Sequence, residues 1–438
     1  MTFGTAAHSL NVQRAAFLHE YREMKIQKFP FIIILGKRKR GGNVMAKEEI
    51  KRLVDEVKAD VIAWRRHLHA HPELSFQEEK TAQFVYETLQ SFGGLEITRP
   101  TKTSVMARLV GPKPGRVVAI RADMDALPIQ EENTFEFASK TPGVMHACGH
   151  DGHTAMLLGT AKIFDQLRDH IHGEIRFLFQ HAEELSPGGA EEMVQAGVMD
   201  GVDVVIGTHL WSPLERGKIG IVYGPMMAAP DRFFIRIIGK GGQGAMPHQT
   251  IDAIAIGAQV VTNLQHIVSR YVDPLEPLVL SVTQFVAGTA HNVLPGEVEI
   301  QGTVRTFDAE LRQTVPQWME RIVKGITEAH GASYEFQFDY GYRPVINYDE
   351  VTRVIEETAR ELFDEEAVAR LKPNMGGEDF SAFLQKAPGS FFYVGARNEE
   401  KGIVYPHHHP RFTIDEDALE IGVQMFVAAT LKLLAEAE

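Results

Sequence analysis

Three near-continuous apolar runs, each stopping at a cluster of acids or histidines, constrain the fold of this chain most. Arg116–Ala122 runs into Asp123-Met124-Asp125-Ala126-Leu127-Pro128. Glu174–Phe179 runs into Gln180-His181-Ala182-Glu183-Glu184, and Val202–Ile206 into Gly207-Thr208-His209. Strands buried on both faces belong to parallel sheets covered by helices. In open α/β sheets, ligands bind beyond the carboxyl ends of strands. The runs predict an α/β fold with a site at one end of its sheet.

Met145–His153 (MHACGHDGH) lies between the first two runs and holds the only cysteine, Cys148. Thiolate, imidazole and carboxylate are the side chains that bind divalent transition metals. A lone cysteine is more often a small buried hydrophobe, but its place between His146 and His150 favours ligation. A nucleophilic cysteine with a histidine base is a weaker reading, because it leaves the other acids and histidines without a task. Glu183 and Glu184 follow directly from an apolar run. In extended backbone, neighbouring side chains point opposite ways, so one can face a metal and the other an attacking water.

The remaining pattern divides the chain. Glu48–Leu68 and Gln77–Phe92 read as helices, separated by the breaker His71-Pro72-Glu73. Ser104–Leu109 reads as a strand, and Thr154–Leu167 as a helix. Strand 231–239, helix 252–268, strands 278–286 and 298–307, helix 308–330 and strand 333–340 follow in βαββαβ order, the ferredoxin-like signature. The expected organisation is a catalytic domain of residues 45–228 and 342–438, with a mixed, mostly parallel sheet flanked by helices. A ferredoxin-like α+β domain, 229–341, is inserted into it.

Composition bounds the partners. Hydrophobic residues make up 44% and charged residues 24%, which places the chain among ordinary globular proteins. The formal net charge of −13, with no long basic run beyond residue 50, argues against nucleic acid or an anionic membrane as partner. One cysteine excludes an intramolecular disulfide and fits a reducing cytoplasm. No apolar run reaches the length expected of a membrane span. Phe29–Leu35 is short, and the charges of Lys37–Arg40 follow it, the reverse of a signal peptide. Helical patterning begins only at Met45. Arg40-Gly41-Gly42 is compatible with a purine-rich ribosome-binding sequence, so residues 1–44 read either as a misassigned upstream start or as a disordered arm.

Several motifs in one order complete the picture: Arg65–Leu74 (RRHLHAHPEL), Asp123–Pro128 (DMDALP), His146–Asp151 (HACGHD), His181–Glu184 (HAEE), Gly207-Thr208-His209 and His408–Phe412 (HHPRF). Together they resemble the M20 metallopeptidase and amidohydrolase family, in its N-acyl-amino-acid and hippurate hydrolase branch, which includes the auxin-conjugate hydrolases. The resemblance spans nearly the whole chain from about residue 46. It implies Cys148, His150, Glu184, His209 and His408 as metal ligands, Cys148 standing where other branches use a bridging aspartate. It implies Glu183 as general base, Asp125 as the carboxylate that orients a ligating histidine, and Asp123 at a position where other branches carry a metal-binding histidine. Five such ligands suit two divalent ions per subunit, with zinc favoured and manganese, cobalt or nickel as alternatives.

By the same resemblance, the inserted domain is a lid that pairs subunits into a homodimer or homotetramer, and Asn292 and Arg305 match residues that hold substrate. An arginine fork is the natural partner of an α-carboxylate, the alternative for Arg305 being a solvated strand residue. One position departs from the pattern. The family usually has Gly-Gly-His-Gly-Ala, whereas this chain reads Gly241-Gly242-Gln243-Gly244-Ala245. The missing histidine is thought to stabilise the developing oxyanion, often from the partner subunit; Gln243 or the nearby His248 would have to serve. The implied activity is hydrolysis of an N-acyl amino acid, a small molecule, to a carboxylate and a free amino acid. The alternatives are a carboxypeptidase or dipeptidase, or an amino-acid-binding relative with weakened catalysis.

Overall fold

The computed structural model describes residues 45–435 and, before them, only the backbone of Gly36–Lys37 and Asn43–Val44, which pair antiparallel. The two readings of residues 1–44 otherwise fall outside the described residues. The long helix α1 (Lys47–Ala70) buries Ile50, Leu53, Val54, Val57, Val61 and Leu68 along one stripe, the 3.6-residue spacing of a helix laid on a core. Helix α2 (Glu79–Phe92) ends at Gly93, whose φ of 93° reverses the chain.

Eight strands follow in one sheet. They are β1 (Glu96–Thr98), β2 (Val105–Val110), β3 (Lys113–Asp123), β4 (His172–Gln180), β5 (Val204–Glu215), β6 (Ile219–Ile221), β11 (Val368–Arg370) and β12 (Gly389–Arg397). Their spatial order is β11-β6-β12-β5-β3-β4-β2-β1. The central strands β12, β5, β3 and β4 are mutually parallel. The antiparallel pairings lie towards the edges, β4 with β2, β2 with β1, and β12 with β6. The fully apolar runs are thus central, where both faces are covered.

Helices α1, α2, α3 (His150–Gln166), α7 (Asp349–Phe363) and α8 (Asp417–Ala435) cover one face. The other face packs on α4 (Gly189–Gln195) and the short helical segment Asp379–Gln385. A Cβ on Gly159 would lie 2.5 Å from Val61 Cγ2, so glycine is what allows α3 to approach α1 so closely. Contrary to the sequence expectation, α8 is long and apolar enough to cross a membrane, but 78% of its apolar window is buried inside the protein. A helix apolar all round is what a central core position demands.

Residues 229–339 build a second sheet from β7 (Ala229–Ile238), β8 (Leu278–Val286), β9 (Glu297–Thr306) and β10 (Ser333–Asp339), in the order β8-β9-β7-β10, all antiparallel. Helices α5 (Ala253–His266) and α6 (Ala309–Ala329) supply Val260, Leu264, Val315, Met319 and Val323 to a separate core with Ile235, Ile237, Val298 and Ile300. Asp252 and Asp308 cap the two helices through side-chain bonds to backbone N–H groups. The chain enters and leaves this unit at one place. Asp231 receives both arms of the Arg312 guanidinium, at 2.9 and 2.7 Å, and the Gly341 N–H at 2.8 Å.

Candidate metal centre

Two central strands, the turn into α3 and the C-terminal loop deliver the candidate ligands to the carboxyl end of the large sheet. Cys148 precedes Gly149, whose φ of 102° turns the chain into α3. The helix begins at His150, four residues earlier than the apolar pattern indicates, so His150, Asp151 and His153 occupy its first turn rather than a loop. Histidine and glycine hide a helix start that the turn at Gly149 dictates. His209 lies inside β5, which runs on to Glu215. His408 reaches in from the C-terminal loop with φ 65°, and its N–H bonds Ala147 O at 2.8 Å.

The Glu183–Glu184 pair also differs from expectation. β4 stops at Gln180, and Ala182 adopts φ 51°. The two carboxylates therefore follow a left-handed residue beyond the end of the strand, where strand alternation does not set their directions. Both share one donor group with His150. A left-handed alanine is strained by about 1–3 kcal/mol and persists only where its surroundings enforce it.

Cys148 belongs to two donor groups. It joins His150 and His209 in one and Glu184 and His408 in the other, with the candidate atoms of each group within 4.8 Å of one another. Cys148 Sγ is 3.4 Å from His209 Nε2. Glu184 Oε1 is 3.3 Å from His408 Nε2 and 3.8 Å from His150 Nε2. The outer nitrogens are engaged elsewhere: His150 Nδ1 with the Asp125 carboxylate at 3.1 Å, and His209 Nδ1 with Leu210 O at 2.8 Å. That fixes each imidazole with its Nε2 toward the cluster. His150 Nε2 and Glu184 Oε1 are buried with no hydrogen-bond partner, an expensive state for polar atoms. Orphaned donor atoms, two donor groups and a shared thiol fit a pair of divalent cations.

The electrostatics agree with such a charge. Burial pushes the Cys148 thiol well up, and Glu184 and Glu183 push it further. A cation is what would release that proton. Burial, then His153 and His407, hold His209 well below the usual imidazole range, so it stays neutral and able to ligate. Burial opposes charge on His150 as well, but Asp123 and Asp125 raise it to about 10 in the absence of a cation.

The other nearby histidines are engaged or set aside. His153 spends Nδ1 on Asp123 at 2.6 Å and Nε2 on the Leu210 N–H at 2.8 Å. His407 Nε2 accepts the Ser212 N–H, and burial lowers His407 to about 3. His409 Nδ1 accepts the Arg411 N–H while its ring stacks on Tyr405. His146 is buried and unpartnered, lowered by burial to about 4, and belongs to neither donor group.

Glu183 is held on every side. The Ala182 N–H donates to Glu78 Oε1 at 2.8 Å, and the Glu184 N–H to Asp125 Oδ2 at 3.0 Å. The Tyr342 hydroxyl donates to Glu183 O at 2.6 Å. Burial, then Glu378, Glu184 and Asp379, push the Glu183 carboxyl well up. Behind it, fully buried Arg121 bridges Asp123, Glu378 and Asp379 at 2.7, 2.9 and 2.9 Å. Sequence reading missed Arg121, Glu378, Asp379, Tyr342 and Glu78. An arginine inside an apolar strand and the Gly376-Gly377-Glu378-Asp379 run were the available signals.

The four residues assigned to substrate do not join this cluster within the chain. Gln243, His248 and Asn292 are exposed, on and beside the small ribbon in which Gln243 pairs with Val293. Arg305 is half-buried on β9, with its guanidinium on Thr303 Oγ1 and Met375 O. Among the described residues, no hydrogen bond or ion pair links any of the four to the donor groups.

Comparison with known proteins agrees with this geometry. The chain is 94% identical over 306 residues to an N-acyl-L-amino acid amidohydrolase of Geobacillus stearothermophilus, covering 70% of this chain and 83% of that protein. It is 44% identical over 389 residues to thermostable carboxypeptidase 2 of Saccharolobus solfataricus, covering 88% and 98%. A Bacillus subtilis crystal structure described as a dinuclear metal binding peptidase superposes with a TM-score of 0.76 at 39% identity, over 88% of this chain and 100% of that one. The model of peptidase family M20/M25/M40 matches residues 119–432, and the chain belongs to that family.

Proposed function

We propose that this chain hydrolyses the amide bond of N-acyl amino acids, with two divalent ions held by Cys148, His150, Glu184, His209 and His408. The observation that carries the reading is the double membership of Cys148, with the Glu183 carboxylate beside both donor groups. Divalent ions at such a site act as Lewis acids and lower the pKa of a bound water toward about 7. Glu183 takes the proton of the attacking water and delivers it to the leaving amine. Its burial among Glu184, Glu378 and Asp379, which favours the protonated form, suits the delivery step. Asp125 orients His150. Asp123, tied to Arg121 and His153, supports the site from behind without ligating.

Arg305 is the fork for the substrate α-carboxylate, helped by Asn292. Gln243, with His248 nearby, donates to the developing oxyanion. These exposed groups reach a site only across a subunit boundary or after the second sheet closes, so residues 229–341 act as lid and pairing surface of a homodimer or homotetramer. Exposed Phe285 and Val286 on edge strand β8 fit that task. Zinc is the preferred metal for mixed sulfur, nitrogen and oxygen donors, ahead of manganese, cobalt and nickel. A cytoplasmic setting keeps Cys148 reduced.

The name of the Geobacillus relative supports an N-acyl amino acid as substrate; that of the Saccharolobus relative supports a carboxypeptidase as the second reading. Hydrolysis of an N-acetyl amino acid, hippurate and a dipeptide, measured side by side with metal analysis, separates the two. Preference for the dipeptide overturns the first reading. Glu183→Ala is expected to abolish turnover while keeping wild-type metal content. Loss of metal from that variant makes Glu183 a ligand instead.

A further inference from the structure

We infer that Glu78 is a positioning residue for Glu183: its carboxylate accepts the Ala182 N–H and holds Ala182 in the left-handed turn that sets where Glu183 points. The inference rests on the role of Glu183 proposed above. Glu78 is 0% exposed and stands at the N-cap position of α2, yet makes no cap bond to that helix. Its Oε1 instead accepts two backbone N–H groups, Phe76 at 3.0 Å and Ala182 at 2.8 Å. Phe76 has φ 64° and Ala182 φ 51°, two of the four non-glycine residues with positive φ among the described residues. One oxygen thus anchors two strained residues far apart in the chain.

The same loop reaches the other side of Glu183. Ser75 donates to Asp125 Oδ2 at 2.7 Å, the oxygen that accepts the Glu184 N–H. The Phe76 ring meets His181 edge-on, with centroids 5.6 Å apart. Ala182 lies beyond β4, so no sheet ladder fixes its conformation, and local strain of this kind lasts only where neighbours over-determine it. Burial, then the charge of Asp125, raise the Glu78 carboxyl to about 7. Oε1 accepts in either protonation state, so a neutral amide reproduces the arrangement.

The test uses the full chain with its metal content measured, assayed on an N-acetyl amino acid. Glu78→Ala is expected to lower kcat on the order of 10²-fold, the scale of a misplaced catalytic group, with KM and metal content within about threefold of wild type. Glu78→Gln should keep most of the rate. Adding Ala182→Gly to Glu78→Ala should recover about tenfold, because glycine adopts positive φ without a steric penalty. A Glu78→Ala rate within about threefold of wild type, an equal loss in Glu78→Gln, or no recovery with Ala182→Gly overturns the inference. If Glu78→Ala does not fold, Ala182→Val with Glu78 intact decides: a β-branched residue resists this φ, so a lowered kcat supports the inference and an unchanged one overturns it. Glu183→Gln is run alongside. If it still turns over, the reading of the base is wrong. If it is dead while Glu78→Ala is active, only the role of Glu78 is wrong.

Discussion

Cys148 puts a soft donor where the two donor groups meet, next to the harder Glu184 carboxylate, and such a mixture favours zinc-like ions over magnesium or calcium. Two negative donors beside the Glu183 carboxyl also set how much positive charge is left for a developing oxyanion. In the oxyanion role proposed for Gln243 its lack of charge would matter, because a glutamine donates a hydrogen bond without charge while histidine can donate with one. Charge-assisted bonds are about twice as strong as neutral ones, and removing an oxyanion donor lowers rates by about 10²–10³-fold. Gln243→His is therefore expected to raise kcat on an N-acetyl amino acid by about tenfold, with KM little changed. An equal or lower kcat in steady-state assays removes Gln243 from the oxyanion role.

At the scale of elements, the β6–β11 edge of the sheet hangs on one buried carboxylate. Glu356 on α7 accepts from Arg360 on its own helix, from Arg370 at the end of β11 and from Tyr223 just beyond β6. Burial opposes its charge, but Arg370, then Tyr223 and Arg360, hold the carboxyl below its usual range, while burial and Glu356 push the Tyr223 phenol up to about 12. A depressed folded-state pKa contributes stability above the unfolded value of about 4.3 and loses it as pH falls through the folded value. Glu356→Gln is expected to lower Tm by about 2 °C at pH 7, and the gap should close below about pH 4. Equal Tm values at pH 7 by calorimetry reject the role. Central strands like β3 and β4 were legible because burial on both faces writes itself as an unbroken apolar run. The edge was not: Glu356 and Arg370 look like ordinary surface charges, and β6 and β11 are three residues each. The same limit hid the partnership of Arg121 with Glu378, 257 positions away. The motifs brought together residues that lie near one another in space, whereas the turn at Ala182 was not legible, because alanine carries no mark of a left-handed conformation.

At the scale of the whole molecule, the chain gathers its candidate metal donors in one place but leaves Gln243, His248 and Asn292 exposed and unlinked to them. The tie of Asp231, Arg312 and Gly341 fixes where the second unit joins, and Tyr342, the next residue, touches Glu183. The two units therefore meet beside Glu183, the base proposed above, while the tip that carries Gln243 is exposed. In a two-fold dimer, each tip would serve the partner's site. Mixing inactive Glu183→Ala chains with Gln243→Ala chains tests this directly. Each mixed dimer then has one site with an intact Glu183 from one chain and an intact Gln243 from the other. Random reassociation makes about half the dimers mixed, so activity should rise to about a quarter of wild type, above the mean of the two separate variants. If Gln243 serves its own chain, every site in the mixture lacks one of the two groups, and the activity stays at that mean.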